Sequence, residues 1–379
     1  MWVAFQDGDG AWTRALPATV NGTVVFQASI NSSRAGIATV TAAGSGLTLL
    51  HVFYGAPNEL ETLGYMSPRL CGPPIVKTWL GNVAGLDSNE FAIIRGGSEA
   101  QTLAFPGIEF VLNVVPPGPQ DILATRIKRT GDHDTMTKII LRRGIDLADG
   151  ATIPLLDFTS VEAFVPATAN ILLAGSDAGG AAIATRLITS GINSTYGVVT
   201  GQDIGTVRPY FAIPEAQLLP GDLQVLNASG HGATPNSRVR SASRFFRAVQ
   251  DYTIGLGADV VPPTLSTVAT SPTLRLRAYF VNQAEYSRET SISFQEASTR
   301  VVSVSMTQDY ALQIGGVYDL VIPELTGVAG FLPAWALSPT TSLRWSAARV
   351  GGTLGLGIEP VPFDGATQRG AFISAVLTP

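Results

Sequence analysis

The sequence predicts an all-β, multi-domain protein of tandem antiparallel β-sandwiches, immunoglobulin-like or prealbumin-like, with few short helices. Apolar residues alternate with polar ones over many short segments, which is the pattern of half-buried strands. Turn residues separate these segments, since the 379 residues include 40 Gly and 24 Pro. Charged residues make up only 14% of the chain, against roughly 25% in ordinary soluble domains, so the charged faces of surface helices are missing.

The length of the chain and its proline-rich links predict four structural units, since about two to four domains suit a chain of this size. The predicted units are residues 1–70, a small N-terminal β-sandwich; 75–157, a carboxypeptidase-regulatory-like β-sandwich; 158–262, a β-rich domain; and 264–379, a C-terminal β-sandwich. The boundary at 262 is weaker than the one at 70. The alternative is therefore that the last two units share sheets.

Residues 108–143 carry the clearest strand signals. Alternation predicts strands at 108–115, 121–128 and 136–143, joined as a meander. The first turn, Pro-Pro-Gly-Pro at 116–119, cannot continue a central strand because proline has no N–H to donate. Other strands are predicted at residues 2–6, 12–16, 24–30, 37–42, 47–54, 75–83, 91–94, 101–105, 161–165, 170–174, 181–190, 196–200, 207–213, 222–228, 241–251, 274–281, 291–296, 300–307, 317–322, 341–348 and 370–377. Short helical segments are predicted at 59–63 and 215–219.

The second unit contains a glycine-led strand that runs into a proline–glycine turn. The motif comprises Gly81-Asn82-Val83, the strand at 107–112, and Val115-Pro116-Pro117-Gly118 entering the strand at 122–124. This arrangement resembles the carboxypeptidase-regulatory or prealbumin-like β-sandwich family. The chain departs from that family at Gln120-Asp121, where an aromatic residue is usual. The resemblance implies a non-catalytic module.

Three segments of this chain follow one another in an order similar to that found in a group of exported proteins. They are VAFQDGDG at 3–10, DILATR at 121–126 and ILRRG at 140–144. The order resembles uncharacterised secreted bacterial lipoproteins of GC-rich organisms, although their lipidated cysteine has no counterpart near Met1. The resemblance implies an extracellular or cell-envelope location. The chain shows no signal peptide, so we expect the targeting segment to have been removed.

Charge and cysteine content argue against several classes of protein. The net charge is −5 and basic residues occur only in short groups, so nucleic-acid binding is not expected. No run of 18 apolar residues occurs, so no transmembrane span is expected. Cys71 is the single cysteine, which excludes an intrachain disulfide and a Cys-based zinc site.

No pattern in the sequence predicts a catalytic residue, a metal site or a cofactor. The three histidines are far apart in the chain, whereas zinc ligands usually cluster. They are His51, His133 and His231. Asp7 and Asp9 lie in an Asp-Gly turn, which backbone geometry alone explains. The residues around Ser176 do not form the Gly-x-Ser-x-Gly motif of a hydrolase nucleophile elbow. Carboxylates that a glycosidase could use are scattered in the fourth unit. They are Glu285, Glu289, Glu296 and Asp309.

Aromatic residues give the one suggestion of a binding surface. Phe331, Trp335 and Trp345 lie close together in the sequence of the fourth unit, and Phe363 belongs to the same aromatic cluster further along it. Aromatic faces bind sugar rings, and they also fill the cores of β-sandwiches. We take the first three, with His231 in a glycine-flanked loop, as the candidate ligand-binding residues. A glycan is expected first at the loops around residues 331–335.

Together these features favour a non-enzymatic, exported β-sandwich protein of the cell surface or envelope that serves binding, adhesion or structure. Its partners are expected to be glycans, other surface proteins or further copies of itself. One alternative is a carbohydrate-active hydrolase whose carboxylates converge only in the fold. Another is a self-assembling filament or surface-layer subunit, because uncovered strand edges pair readily with another chain.

Overall fold

The computed structural model confirms an all-β chain. It describes residues 1–20, 23–42, 46–60, 76–97, 100–130, 133–175, 180–189, 195–199, 205–231, 238–297, 299–339, 341–354 and 362–377. Its two α-helices within these ranges, α1 (Pro57–Leu60) and α2 (Gln308–Gln313), are short. Within the same ranges, 3₁₀ helices occur at Glu215–Gln217, Ala284–Tyr286 and Pro333–Trp335. No helix in the described ranges is long and apolar enough to cross a membrane.

The strands are numbered in chain order. The first ten are β1 (Trp2–Asp7), β2 (Thr13–Arg14), β3 (Pro17–Val20), β4 (Thr23–Phe26), β5 (Ala35–Ala42), β6 (Thr48–Gly55), β7 (Lys77–Gly81), β8 (Val83–Ala84), β9 (Glu90–Gly96) and β10 (Ala100–Ala104). The next ten are β11 (Phe110–Val115), β12 (Gln120–Thr130), β13 (His133–Ile145), β14 (Leu156–Asp157), β15 (Ala167–Ala174), β16 (Ala182–Ile188), β17 (Thr195–Val199), β18 (Val207–Ala212), β19 (Leu223–His231) and β20 (Arg238–Phe246). The last eight are β21 (Tyr252–Gly255), β22 (Thr264–Ala269), β23 (Arg275–Phe280), β24 (Glu289–Glu296), β25 (Arg300–Thr307), β26 (Tyr318–Val321), β27 (Leu343–Gly352) and β28 (Thr367–Leu377).

Twelve strands form one long sheet, in the order β17-β16-β19-β20-β28-β27-β24-β25-β6-β5-β1-β2. Its neighbouring strands are antiparallel except β6 and β25, which run parallel with Thr48 opposite Arg300. β20 pairs with β28, which joins residues 158–262 to residues 264–379. The long sheet therefore contains strands of the first, third and fourth predicted units, whose boundaries stay predictions.

The largest core lies between the long sheet and the three-stranded sheet β22-β23-β26. Val52, Ile292 and Val304 face it from the long sheet, and Phe280 and Leu320 face it from the smaller one. All five are buried because alternate residues of a strand point to the same side. This is the two-layer arrangement of a β-sandwich.

Residues 77–157 form a second pair of facing sheets. The four-stranded sheet β10-β9-β12-β13 packs on the pair β7-β11, and Trp79, Leu112, Ile122 and Ile140 are among the buried residues between them. These contacts show a β-sandwich at the place where the sequence resembles regulatory domains. Membership of that family stays a prediction.

The three-strand meander predicted over residues 108–143 is wrong in one pairing. β12 pairs with β13 as expected, but β11 pairs with β7 in the facing sheet. The proline turn carries the chain from one sheet to the other. Strand alternation would place Val114 on the same face as Phe110 and Leu112, yet it has φ 64° and is 47% exposed, because a bulge turns Val115 into the core instead.

The strand predicted at residues 161–165 is also wrong. They form no strand: Val161 is fully exposed in a turn, and Phe164 alone pairs, in an isolated antiparallel bridge with Ile139. Asp157 reverses the chain just before them, because its carboxylate accepts hydrogen bonds from the N–H and the hydroxyl of Thr159. Such local bonds compete with strand pairing and override the apolar alternation.

The two sandwiches are joined through a smaller apolar core. The outer face of the four-stranded sheet supplies Leu123 and Ile139, which are fully buried. Leu187 of β16 and Ile213 after β18 pack against them. β12, one of the two inner strands of this sheet, is therefore buried on both faces and anchors residues 77–157 to the rest of the protein.

Candidate functional site

Two of the predicted ligand-binding residues, Phe331 and Trp335, lie together. Their ring centroids are 5.5 Å apart and the ring planes are perpendicular. Trp2 of β1 completes the group, with its centroid 5.3 Å from that of Phe331 and 6.1 Å from that of Trp335. Trp2 and Phe331 are buried, whereas the side chain of Trp335 is only half-buried. We call residues 331–335 the aromatic loop.

The backbone just before the aromatic loop is fixed by β1 and β2. The Trp2 Nε1–H and the Arg14 Nη1–H both donate to the carbonyl oxygen of Ala329, each at 3.2 Å. The Arg14 guanidinium also lies over the Trp2 ring, 5.5 Å from its centroid. Gly330 has φ 77°, and a Cβ there would come within 2.6 Å of Arg14 Nη1. The backbone that leads into the loop is therefore held in place by these contacts.

The outer surface of the aromatic loop carries no charge. Leu332 is 51% exposed, and Pro333 and Ala334 are exposed beside the open part of Trp335. Rigid, uncharged surfaces with a partly open indole are suited to contact with apolar ring faces, including those of sugars. Ordering such a loop on binding costs little conformational entropy because it is already ordered.

The other two candidate residues lie elsewhere. Trp345 is in β27 and is buried in the largest core, and no ring contact joins it to the aromatic loop among the described residues. His231 is the last residue of β19 and lies opposite Val239 in the register. The side chain of His231 is outside the described part of the chain.

Further sequence candidates have structural partners or lie outside the described residues. The Asp7 carboxylate accepts the backbone N–H groups of Asn31 and Ser32, and the hydrogen bonds from Ser32 lower its pKa. Asp9 pairs with Arg34. A search of the described residues finds no group of three metal-ligating side chains. Cys71 and Ser176 lie outside these residues, as does the side chain of His133.

The structure brings together a set of polar side chains that the sequence left apart. We call it the acid–hydroxyl cluster, and its members are His51, Glu59, Glu289, Ser305 and Thr307. Thr307 Oγ1 donates to Glu59 Oε2 at 2.7 Å. The Ser305 hydroxyl bonds to the Glu289 carboxylate, and its Oγ lies 3.3 Å from His51 Nε2. The cluster thus joins β6, α1, β24 and β25.

Burial shifts the pKa of two side chains in this cluster, Glu289 and His51. It raises the pKa of Glu289, with a further rise from the Glu59 carboxylate and an opposing effect of the Ser305 hydrogen bond. Burial also lowers the pKa of His51, because an imidazolium is poorly solvated there. The Ser305 hydroxyl is therefore flanked by an imidazole and a carboxyl group whose pKa values are both shifted toward the neutral form.

Sequence reasoning missed this cluster because its members come from opposite ends of the chain. His51 and Ser305 are 254 positions apart and meet through the parallel pairing of β6 with β25. One signal was present in the sequence. Ser291 and Ser293 alternate with apolar residues in β24, as Ser303 and Ser305 do in β25, which marks one hydroxyl-lined face.

The aromatic loop and the acid–hydroxyl cluster are thus the two arrangements that could carry function. No protein-family model and no curated protein matches this chain. Function has to be inferred from the geometry of these two sites.

Proposed function

We propose that this chain is a non-enzymatic protein of the cell surface or envelope that binds neutral glycans through its aromatic loop. The observation that carries the proposal is the half-buried Trp335, which packs edge-to-face against Phe331 and at a tilt against Trp2, beside exposed residues of the loop. A location outside the cell is supported by the low charge content and the resemblance to secreted lipoproteins.

A glycan array tests this function. We expect the protein to bind at least one class of neutral glycan and the Trp335→Ala variant to lose the signal, because sugar rings stack on the indole. Phe363→Ala is the matched control, since Phe363 is an exposed aromatic residue outside the loop, and it should bind normally. Circular dichroism confirms that both variants are folded. Equal binding by Trp335→Ala and the unaltered protein would contradict the proposal.

A second candidate function is hydrolysis of glycosides, and the acid–hydroxyl cluster favours it. Burial raises the pKa of Glu289, with a further rise from the Glu59 carboxylate, and a raised pKa is what a general acid needs. The surface has clefts of about 210 and 410 Å³, and neither Glu59 nor Glu289 lines them.

Chromogenic glycosides test this second candidate. If it holds, the unaltered protein releases the chromophore and Glu289→Gln slows that release by about 100-fold or more, the usual contribution of general acid catalysis. Glu296→Gln is the control, because Glu296 instead accepts the backbone N–H of Ser338 at 2.9 Å. The absence of turnover by the unaltered protein on a broad panel would overturn it.

A further inference from the structure

The smaller surface cleft, of about 210 Å³, lies beside helix α2. Gln308 and Ala311 of that helix line one part of it, and Asn282 and Ser287, from the segment between β23 and β24, line another. Tyr318, the first residue of β26, also lines it. We call it the amide cleft, because two amide side chains, those of Asn282 and Gln308, belong to it.

Three polar side chains of the amide cleft have no partner within the described part of the protein. Those of Asn282, Ser287 and Gln308 form no hydrogen bond with any residue in the described ranges. Asn282 is exposed, and the other two residues are half-buried. Each amide offers N–H donors and a carbonyl acceptor, and the serine hydroxyl offers both roles. The hydrogen-bonding capacity of these groups is therefore available to a ligand.

The larger cleft, of about 410 Å³, differs because its polar side chains bond to one another. Arg34 pairs with Asp9, and both residues line this cleft. The Gln313 side chain donates to the carbonyl oxygen of Ser33 at 2.9 Å and accepts the hydroxyl of the same serine. A ligand would have to break these bonds first. The amide cleft is therefore the better site for a small polar ligand.

The walls of the amide cleft are held in place by the fold. The Tyr318 hydroxyl donates to the carbonyl oxygen of Ser287 at 2.5 Å, and the Gln308 N–H donates to that of Arg288 at 2.9 Å. Tyr318 and Ala311 are buried members of the largest core. The cleft is therefore formed before a ligand binds, which lowers the entropic cost of binding.

The charge and the size of the amide cleft restrict the class of ligand. None of the side chains that line it carries a charge, since burial raises the pKa of Tyr318 to about 12 and the others do not titrate. An ion would lose hydration there without gaining a counter-charge. The volume corresponds to about seven water molecules at roughly 30 Å³ each, which is room for one sugar ring and not for two.

We propose that the amide cleft binds a single neutral sugar ring through the side chains of Asn282, Ser287 and Gln308. Groups that both donate and accept hydrogen bonds suit a ring that carries several hydroxyls, because each hydroxyl needs both roles. None of the residues that line the cleft belongs to the aromatic loop. This inference therefore goes beyond the proposed function and does not depend on it.

A ligand-observed NMR titration with methyl β-glucoside, methyl β-galactoside and N-acetylglucosamine tests the amide cleft. We expect saturable binding of at least one of these sugars, with a dissociation constant in the millimolar range. Asn282→Ala and Gln308→Ala should each weaken that binding about fivefold, the effect of losing one neutral hydrogen bond. Both variants should fold normally, because neither side chain has a hydrogen-bond partner among the described residues. Circular dichroism checks this.

Two further variants serve as controls. Gln101→Ala removes an exposed glutamine of β10 that lies outside the cleft, so it should bind like the unaltered protein. Trp335→Ala should also keep the affinity, which separates this site from the aromatic loop. Three results would overturn the inference. They are the absence of saturable binding for all three sugars, unchanged affinity in both Asn282→Ala and Gln308→Ala, and an equal loss in Trp335→Ala.

Discussion

Replacing Arg143 by methionine is expected to destabilise the protein by about 3 kcal/mol, because it removes the guanidinium that bridges two buried carboxylates. Arg143 Nη1 lies 3.1 Å from Asp121 Oδ2 and Nη2 lies 2.6 Å from Asp222 Oδ2. The Asp121 side chain is 6% exposed and that of Asp222 is fully buried. Asp121 belongs to β12 and Asp222 precedes β19, so the guanidinium joins the two sandwiches.

Urea unfolding of Arg143→Met measures this loss. Arg277→Met is the matched control, because Arg277 also pairs with a carboxylate, Asp319, at 2.5 Å, but its side chain is 48% exposed. Exposed pairs contribute roughly 0–1 kcal/mol, so the control should remain close to the unaltered protein. Equal losses in the two variants would show that Arg143 does not bridge buried charges.

A single added methyl group at Gly351 is expected to cost about 3 kcal/mol, at the upper end of the range for overpacking. Gly351 lies in β27, directly beneath the 3₁₀ helix Ala284–Tyr286. A Cβ there would lie 1.9 Å from the carbonyl oxygen of Glu285 and 2.9 Å from the Cα of Tyr286. Both contacts are to backbone, so no side-chain rotation relieves them, and the helix would have to leave its place.

Thermal unfolding of Gly351→Ala checks this expectation. Gly327→Ala is the control, because no atom lies within 4 Å of its added Cβ. Substitutions in open surroundings change stability by about 0.5 kcal/mol or less. A Gly351→Ala protein as stable as the Gly327→Ala protein would mean that the 3₁₀ helix does not pack on β27 as described.

Local patterns in the sequence were sufficient to predict most of the strands. The prediction of a strand at residues 300–307 coincides with β25, and the alternation at 274–281 coincides with β23 to within one residue at each end. These segments alternate apolar and polar side chains on a half-buried sheet, and that pattern depends on neighbouring residues only. The alternation predicted a strand wrongly after Asp157, because the side chain of that residue forms hydrogen bonds with the local backbone.

Strand pairing could not be predicted in the same way. The parallel pairing of β6 with β25 and the pairing of β11 with β7 depend on which apolar faces meet in three dimensions. Many strands share the same alternation of apolar and polar residues. The alternation therefore does not determine which strand pairs with which. For this reason Trp2 was not expected beside Phe331, nor His51 beside Ser305.

The two candidate sites differ in how far the sequence could predict them. The aromatic loop was found because Phe331 and Trp335 are neighbours in the chain, although the contribution of Trp2 was not visible. The acid–hydroxyl cluster was not found, because residues far apart in the chain supply its carboxylates. Glu289 was a candidate only as one of several scattered acids.

Calorimetric titration with the best glycan from the array tests the central claim most directly. Binding by the unaltered protein should weaken at least about tenfold in Trp335→Ala, since a buried aromatic contact contributes roughly 1.4 kcal/mol or more, and should be unchanged in Phe363→Ala. Unchanged affinity in Trp335→Ala, or an equal loss in both variants, would contradict a binding function of the aromatic loop.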